Sequence, residues 1–154
     1  MLKPFKVEIS EETLRNIYSK VKNYSWHEMP DDGGWDYGTN LDYMKDFSKY
    51  WVEKFNWRKT EEEINKFKNF KTNIDGIDIH FIHEKGSGAN PKPLLLSHGW
   101  PGSIVEFLHI INQLAHPEKF GGKEEDAFDV VVPSLPGFGF SDRPSKPIGP
   151  RKMS

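Results

Sequence analysis

Apolar positions recur at helical spacing through the first third of the chain and at strand spacing beyond it. Ser10 stands where a helix N-cap belongs, and Leu14, Ile17, Tyr18 and Val21 follow on one face of an amphipathic helix. The stretch from Pro30 to Gly38 is rich in turn formers. Within it, Asp31 and Asp32 read as turn residues ahead of Gly33 and Gly34 rather than as a catalytic pair. A second helix is expected from about Asn40, with Leu41, Met44, Phe47, Trp51 and Phe55 along one face. Thr60 and Glu63 have the spacing of a capping box, which predicts a short third helix starting there.

The period changes near Phe70. Lys71 to Ile74 and Ile77 to Ile82 are extended runs on either side of Asp75-Gly76, the signature of a two-residue hairpin. After a polar loop from Glu84 to Pro91 comes Pro93-Leu94-Leu95-Leu96-Ser97. This unbroken apolar run suits a central strand buried on both faces. Ser103 can cap a helix whose buried stripe is Ile104, Phe107, Leu108, Ile111, Leu114 and Ala115, and Phe128 to Val132 reads as another strand. Strand, helix and strand in succession imply a parallel pair joined by a right-handed crossover. The expected class is therefore α/β: a helical lead, a β-hairpin and a parallel βαβ unit. The lead is assigned to residues 1–67 and the start of the sheet core to residues 68–154.

Composition narrows the function. At 154 residues, with 36% hydrophobic content, the chain can bury a core, and composition points to one compact unit. The 21 basic and 23 acidic residues nearly cancel and are interspersed, so no field favours nucleic acid. The absence of cysteine excludes a disulfide framework, a cysteine nucleophile and a thiolate metal site. No apolar run approaches the length of a membrane span and no signal-peptide pattern opens the chain, so a soluble protein is expected. His80 and His83 lie three apart on a strand and face opposite sides, which argues against a shared metal. Neither a metal nor a cofactor is expected. Trp26, Trp35, Trp51 and Trp57 are expected to be packing anchors.

Two loops hold the candidate chemistry, both leaving the carboxyl ends of buried strands, where ligands bind in open α/β sheets. The first is His98-Gly99-Trp100-Pro101-Gly102-Ser103. Gly99 lets the backbone approach a reacting atom, and Pro101 removes a donor and can hold a sharp turn through a cis bond. Outward-facing amides on such a rigid turn are what an oxyanion hole requires. The competing reading is a tight strand-to-helix connection built around a buried tryptophan. The second loop runs from Pro133 to Pro144 and should lie beside the first. Its Gly137-Phe138-Gly139 lacks the third glycine of a dinucleotide fingerprint, and Gly149-Pro150 lacks the lysine of a phosphate loop. Ser141 is wrongly placed for a nucleophile elbow.

Together, His98-Gly99-Trp100-Pro101-Gly102-Ser103 and Leu135-Pro136-Gly137-Phe138-Gly139-Phe140-Ser141-Asp142-Arg143-Pro144 resemble the front half of the epoxide hydrolases, which have the α/β-hydrolase fold. The aromatic lead, with Trp35-Asp36-Tyr37-Gly38 and Tyr50-Trp51, is similar to the N-terminal domain of the microsomal and juvenile-hormone branch. The resemblance covers nearly the whole chain. Its first motif is shared with haloalkane dehalogenases and other α/β-hydrolases, so the helical lead makes it specific.

The resemblance implies a hydrophobic epoxide as substrate, in a reaction suited to detoxification. An aspartate forms an ester with the epoxide carbon, and a histidine-activated water hydrolyses it to a vicinal diol. The backbone amide of Trp100 is one oxyanion-hole donor on this reading. His98, Gly99 and Pro101 complete its loop, with His98 bonding the loop in place rather than acting as a base. The nucleophile, the acid and the catalytic histidine have no counterpart in these residues, so the chain is expected to be an N-terminal part, inactive alone. The second parallel strand would keep a free edge open to association. A non-catalytic protein that binds a partner is the alternative, and dehalogenation or ester hydrolysis a third possibility.

Overall fold

The structure is a computed structural model that describes residues 2–30 and 33–145. Asp31 and Asp32, read above as turn residues, lie outside the described residues, as does Gly149-Pro150. The chain divides into two compact units, Glu8–Thr60 and Met1–Val7 with Glu61–Ser154, where composition alone pointed to one. Their burial explains the division. Among the described residues of the first unit, Leu14 is the one buried apolar side chain, whereas the second has a continuous core.

In the helical unit, α1 (Glu11–Lys22) begins at Ser10, whose hydroxyl accepts the Thr13 N–H. Helix α2 (Leu41–Glu53) begins at Asn40, whose Oδ1 accepts the Tyr43 N–H. The Ser10 cap and the start of the second helix stand where expected, and the structure adds the Asn40 cap. Helix α3 (Trp57–Asn65), whose first four residues fall in this unit and the rest in the other, starts earlier than the Thr60–Glu63 spacing predicts. Asn56 wins because its Oδ1 accepts the Arg58 N–H at 2.9 Å and so satisfies a free amide one turn sooner, while Glu63 pairs with Lys66. The expected packing role of Trp35 and Trp51 is corrected. Both are exposed, in a row of rings running Trp35, Tyr43, Phe47, Trp51 with centroids 5.3, 6.4 and 6.5 Å apart. Trp26 and Trp57 are half-buried.

The other unit is a five-stranded sheet in the order β1-β2-β3-β5-β4. Strand β1 (Lys3–Phe5) was not signalled by periodicity, being only three residues long; it pairs antiparallel with β2 (Asn69–Ile74). Strand β3 (Ile77–Glu84) returns from β2 through Asp75-Gly76, with φ of 51° and 85°, the left-handed pair a tight hairpin demands. Strand β4 (Lys92–Leu95) and strand β5 (Phe128–Pro133) are parallel, and β5 also pairs antiparallel with β3. Val130 and Val132 of β5 and Ile82 of β3 are fully buried.

Two expectations fail here. Among the described residues, strand β4 is not central but an edge with Leu95 65% exposed, and the free edge belongs to it rather than to the second parallel strand. The cause is insertion of β5 between β3 and β4, an order that local apolarity cannot encode. Between β4 and β5, the expected helix is broken into a 3-10 turn (Ile104–Phe107) and α4 (Ile111–Ala115), yet the stripe survives, with Ile104, Ile111 and Ala115 buried. No helix among the described residues is long and apolar enough to cross a membrane.

Candidate active-site loops

Because β4 and β5 are parallel neighbours, the loops that leave them start side by side. Leu96 continues the ladder by donating to the Val131 carbonyl at 2.9 Å, and the chain then turns. The Gly102 N–H closes the turn onto the Gly99 carbonyl at 2.7 Å, across a cis Trp100–Pro101 bond. Ser103 then opens the 3-10 turn with a capping box: its hydroxyl accepts the Val105 N–H, and Glu106 Oε1 accepts the Ser103 N–H at 3.0 Å.

His98 is buried, with 3% exposure, and both ring nitrogens are engaged. Nδ1 donates to the Gly99 carbonyl at 3.0 Å, since a carbonyl can only accept. Nε2 must then be the bare nitrogen, and it accepts the Leu135 N–H at 3.1 Å. The ring also meets Phe138 edge-on, centroids 5.5 Å apart. His98 thus joins the two loops as a neutral imidazole whose single lone pair is already in use.

The consequence falls on Trp100. The Gly99 carbonyl and the Trp100 N–H belong to one planar peptide unit, so holding the carbonyl fixes the direction of the N–H. That carbonyl accepts from His98 Nδ1 and from the Gly102 N–H, while the Trp100 N–H has no partner among the described residues. A donor left unengaged and fixed in advance by its own peptide unit is the element of an anion-stabilising site. Trp100 itself is 84% exposed, which overturns the competing reading of a connection built around a buried tryptophan.

The second loop is folded on itself. The Gly137 N–H reaches the Asp142 carbonyl at 3.0 Å, and the Ser141 N–H reaches that of Phe138 at 3.1 Å. The Ser141 hydroxyl is spent internally: it donates to the Ser134 carbonyl at 2.7 Å and accepts the His80 N–H at 2.9 Å.

His80, weighed in the sequence only as a metal ligand, has its ring bonded at both nitrogens. Its ring is fully buried, between Ser134 and Asn69, and burial, reinforced by the Lys71 ammonium, pushes its pKa down to about 4. The available signal was parity: on β3 it shares a face with Ile82, which is also fully buried. Among the described residues no group of three or more His, Cys, Asp or Glu side chains could hold a metal ion.

Comparison with known proteins agrees with this architecture. Residues 2–107 match the family described as epoxide hydrolase N terminus, and residues 92–152 match the alpha/beta hydrolase fold. The chain is 41% identical to a putative epoxide hydrolase of Stigmatella aurantiaca over 93% of its own length and 32% of that protein. It is 43% identical to epoxide hydrolase 1 of Sus scrofa, over 94% of this chain and 33% of that one. Among solved structures, the juvenile hormone epoxide hydrolase of the silkworm Bombyx mori superposes with a TM-score of 0.83 at 33% identity, covering 96% of this chain and 35% of that chain. The Aspergillus niger epoxide hydrolase gives 0.82 at 31% identity, covering 96% and 38%. The chain spans about a third of the length of the curated relatives it matches. With more than half of its residues matched to the family's N-terminal region, the chain belongs to the epoxide hydrolase family.

Proposed function

We propose that this chain supplies the oxyanion-hole loop of an enzyme that adds water to a hydrophobic epoxide, giving a vicinal diol. In this reading residues 1–67 serve as the helical lead and residues 68–154 as the start of the hydrolase core. An aspartate carboxylate attacks an epoxide carbon, the ring C–O bond breaks, and the alkoxide takes a proton to leave a hydroxyalkyl ester. Water, deprotonated by a histidine, then adds to the ester carbonyl. Collapse of that adduct expels the diol and restores the carboxylate. No residue of this chain is assigned as the nucleophile, the acid or that base. Its part is played in the second step, where the Trp100 N–H donates to the ester oxygen as it becomes negative. His98, Gly99 and Pro101 hold the loop.

The observation that supports this is the peptide unit with its carbonyl held twice and its N–H unengaged. Loss of one such donor costs about 10²–10³-fold in rate in other enzymes. The test grafts this chain in place of the matching front third of the Bombyx mori relative. The hybrid is then compared with a version in which the Gly99–Trp100 amide is replaced by an ester, deleting only the N–H. The expected result is diol from an aryl epoxide in the hybrid. In the ester version the covalent intermediate should form normally and hydrolyse about 10²–10³-fold more slowly. A folded hybrid that makes no diol sinks the reading, as does an ester version that turns over at full speed.

The free edge of β4, ending at the exposed Leu95, favours a second reading in which this edge pairs with a strand of another chain. Sedimentation at rising concentration tests it: a strictly monomeric chain at every concentration counts against it.

A further inference from the structure

The oxyanion loop is held by one histidine, and the loop that holds that histidine rests on another. His80 lies in the core in T-shaped contact with Phe5 and Phe140, centroids 5.2 and 5.1 Å away, and these two rings also meet each other at 5.8 Å. A count of donors settles how its ring is protonated. Asn69 spends both hydrogens of Nδ2 on the carbonyls of Ile64 and Phe67, each at 2.9 Å. Its Oδ1 therefore faces His80 Nε2 at 2.9 Å and can only accept, so Nε2 carries the hydrogen. Nδ1 is left as the acceptor, and the Ser134 hydroxyl donates to it at 2.9 Å.

The backbone repeats the hold. The Ser134 N–H donates to the His80 carbonyl at 2.9 Å, and the His80 N–H donates to Ser141 Oγ, which in turn donates to the Ser134 carbonyl. Ser134 is thus fixed through its hydroxyl, its N–H and its carbonyl. That carbonyl and the Leu135 N–H are the two ends of one planar peptide unit, and the Leu135 N–H is the donor that occupies His98 Nε2. The charged group facing His80 is Lys71, its partner across the strand pair, whose ammonium is itself paired with Asp142 at 3.4 Å.

We propose that His80 is a positioning residue for the oxyanion loop. Through Ser134 and Ser141 it orients the Ser134–Leu135 peptide, which locks His98 as its Nδ1–H tautomer and so directs the Trp100 N–H. The inference rests on the oxyanion reading of Trp100 for its purpose but not for its geometry. His80 touches no substrate; it acts through two serines and a second histidine. The arrangement requires opposite tautomers at two buried histidines, hydrogen on Nε2 at residue 80 and on Nδ1 at residue 98.

Nitrogen-15 imidazole spectra of the labelled chain at neutral pH read both tautomers directly. The expected pattern is Nε2–H for His80 and Nδ1–H for His98. Ser134→Ala and Ser141→Ala each delete one hydroxyl and leave the ring packing in place, so either folded variant reports. The Nδ1–H signal of His98 should weaken, with an Nε2–H signal growing in its place, as its lone pair loses a fixed donor. Loosening alone would also release His98 towards Nε2–H, the form favoured in water, so Ile111→Val, which thins the core without touching either serine, is the control and should leave the His98 pattern unchanged. An unchanged His98 pattern in both variants overturns the proposal, and so does an Nδ1–H pattern for His80 in the unaltered chain. The spectra need no turnover, so failure of the oxyanion reading shows separately, as an amide-to-ester replacement at Trp100 without effect on ester hydrolysis.

Discussion

At the scale of single residues, His80 makes the fold a gauge of pH. Its pKa is about 4 in the folded chain and about 6.5 when unfolded, so between those values the unfolded state binds more protons. The contribution of the neutral ring is fully present above pH 6.5, erodes as pH falls towards 4, and falls no further below that. The loss is at most about 1.4 kcal/mol per pH unit, roughly 3 kcal/mol in all. Urea midpoints measured from pH 7 to pH 4 should fall steeply for the unaltered chain and less for His80→Gln; parallel curves would mean that another group sets the acid limit. Two glycines in the candidate loops make a second pair of predictions. A methyl group on Gly139 would lie 2.6 Å from Ser134 Oγ, on a backbone with φ of 49°, so Gly139→Ala should cost about 1–3 kcal/mol. A methyl group on Gly99 meets nothing within 4 Å, and Gly99→Ala should stay within about 0.5 kcal/mol in a thermal melt. Equal losses at the two sites would contradict the geometry. The turn at Gly99 and Trp100 was legible because motif and strand end coincide, whereas the bonds of the His80 ring reach partners 11 and 54 residues away and leave no local trace.

At the scale of elements, what was legible was what the chain decides locally. Ser10 and Asn40 cap their helices because a side-chain oxygen three residues before a free amide suffices. The Asp75-Gly76 hairpin is equally local. The start of α3 was missed because two caps compete within four residues and the earlier one closes the turn. The place of β4 was missed because strand order is decided by which partner a strand finds, and three successive leucines look the same at an edge as in the middle. This difference can be weighed. Ile82 and Leu95 are large aliphatic residues on strands of one sheet, the first fully buried and the second 65% exposed. Ile82→Ala should cost about 2–5 kcal/mol, and Leu95→Ala less than about 1 kcal/mol. Comparable shifts in the denaturation midpoint would place β4 inside the sheet rather than at its edge.

At the scale of the whole chain, burial is uneven in a way that should govern how it opens. Of the ten buried apolar residues among those described, nine belong to the unit made of Met1–Val7 and Glu61–Ser154, and one, Leu14, to the helical unit. The helical unit also leaves Trp35, Tyr37, Tyr43, Phe47 and Tyr50 exposed, so much of its apolar surface gains nothing from folding within the unit. Isolated helices of twelve and thirteen residues, the lengths of α1 and α2, are marginal in water without a tertiary face to bury. Their caps add only about 1 kcal/mol each. The sheet, by contrast, has β3 and β5 paired on both sides, with Ile82, Val130 and Val132 excluded from water between them. Opening should therefore be sub-global, with the helices exchanging their amides before the sheet does. In hydrogen exchange under rising urea, amides of β3 and β5 should follow the global unfolding curve, while those of α1 and α2 exchange at lower free energy and with a shallower dependence on denaturant. One common curve for helices and sheet would mean that the helical unit draws its stability from a surface other than its own core.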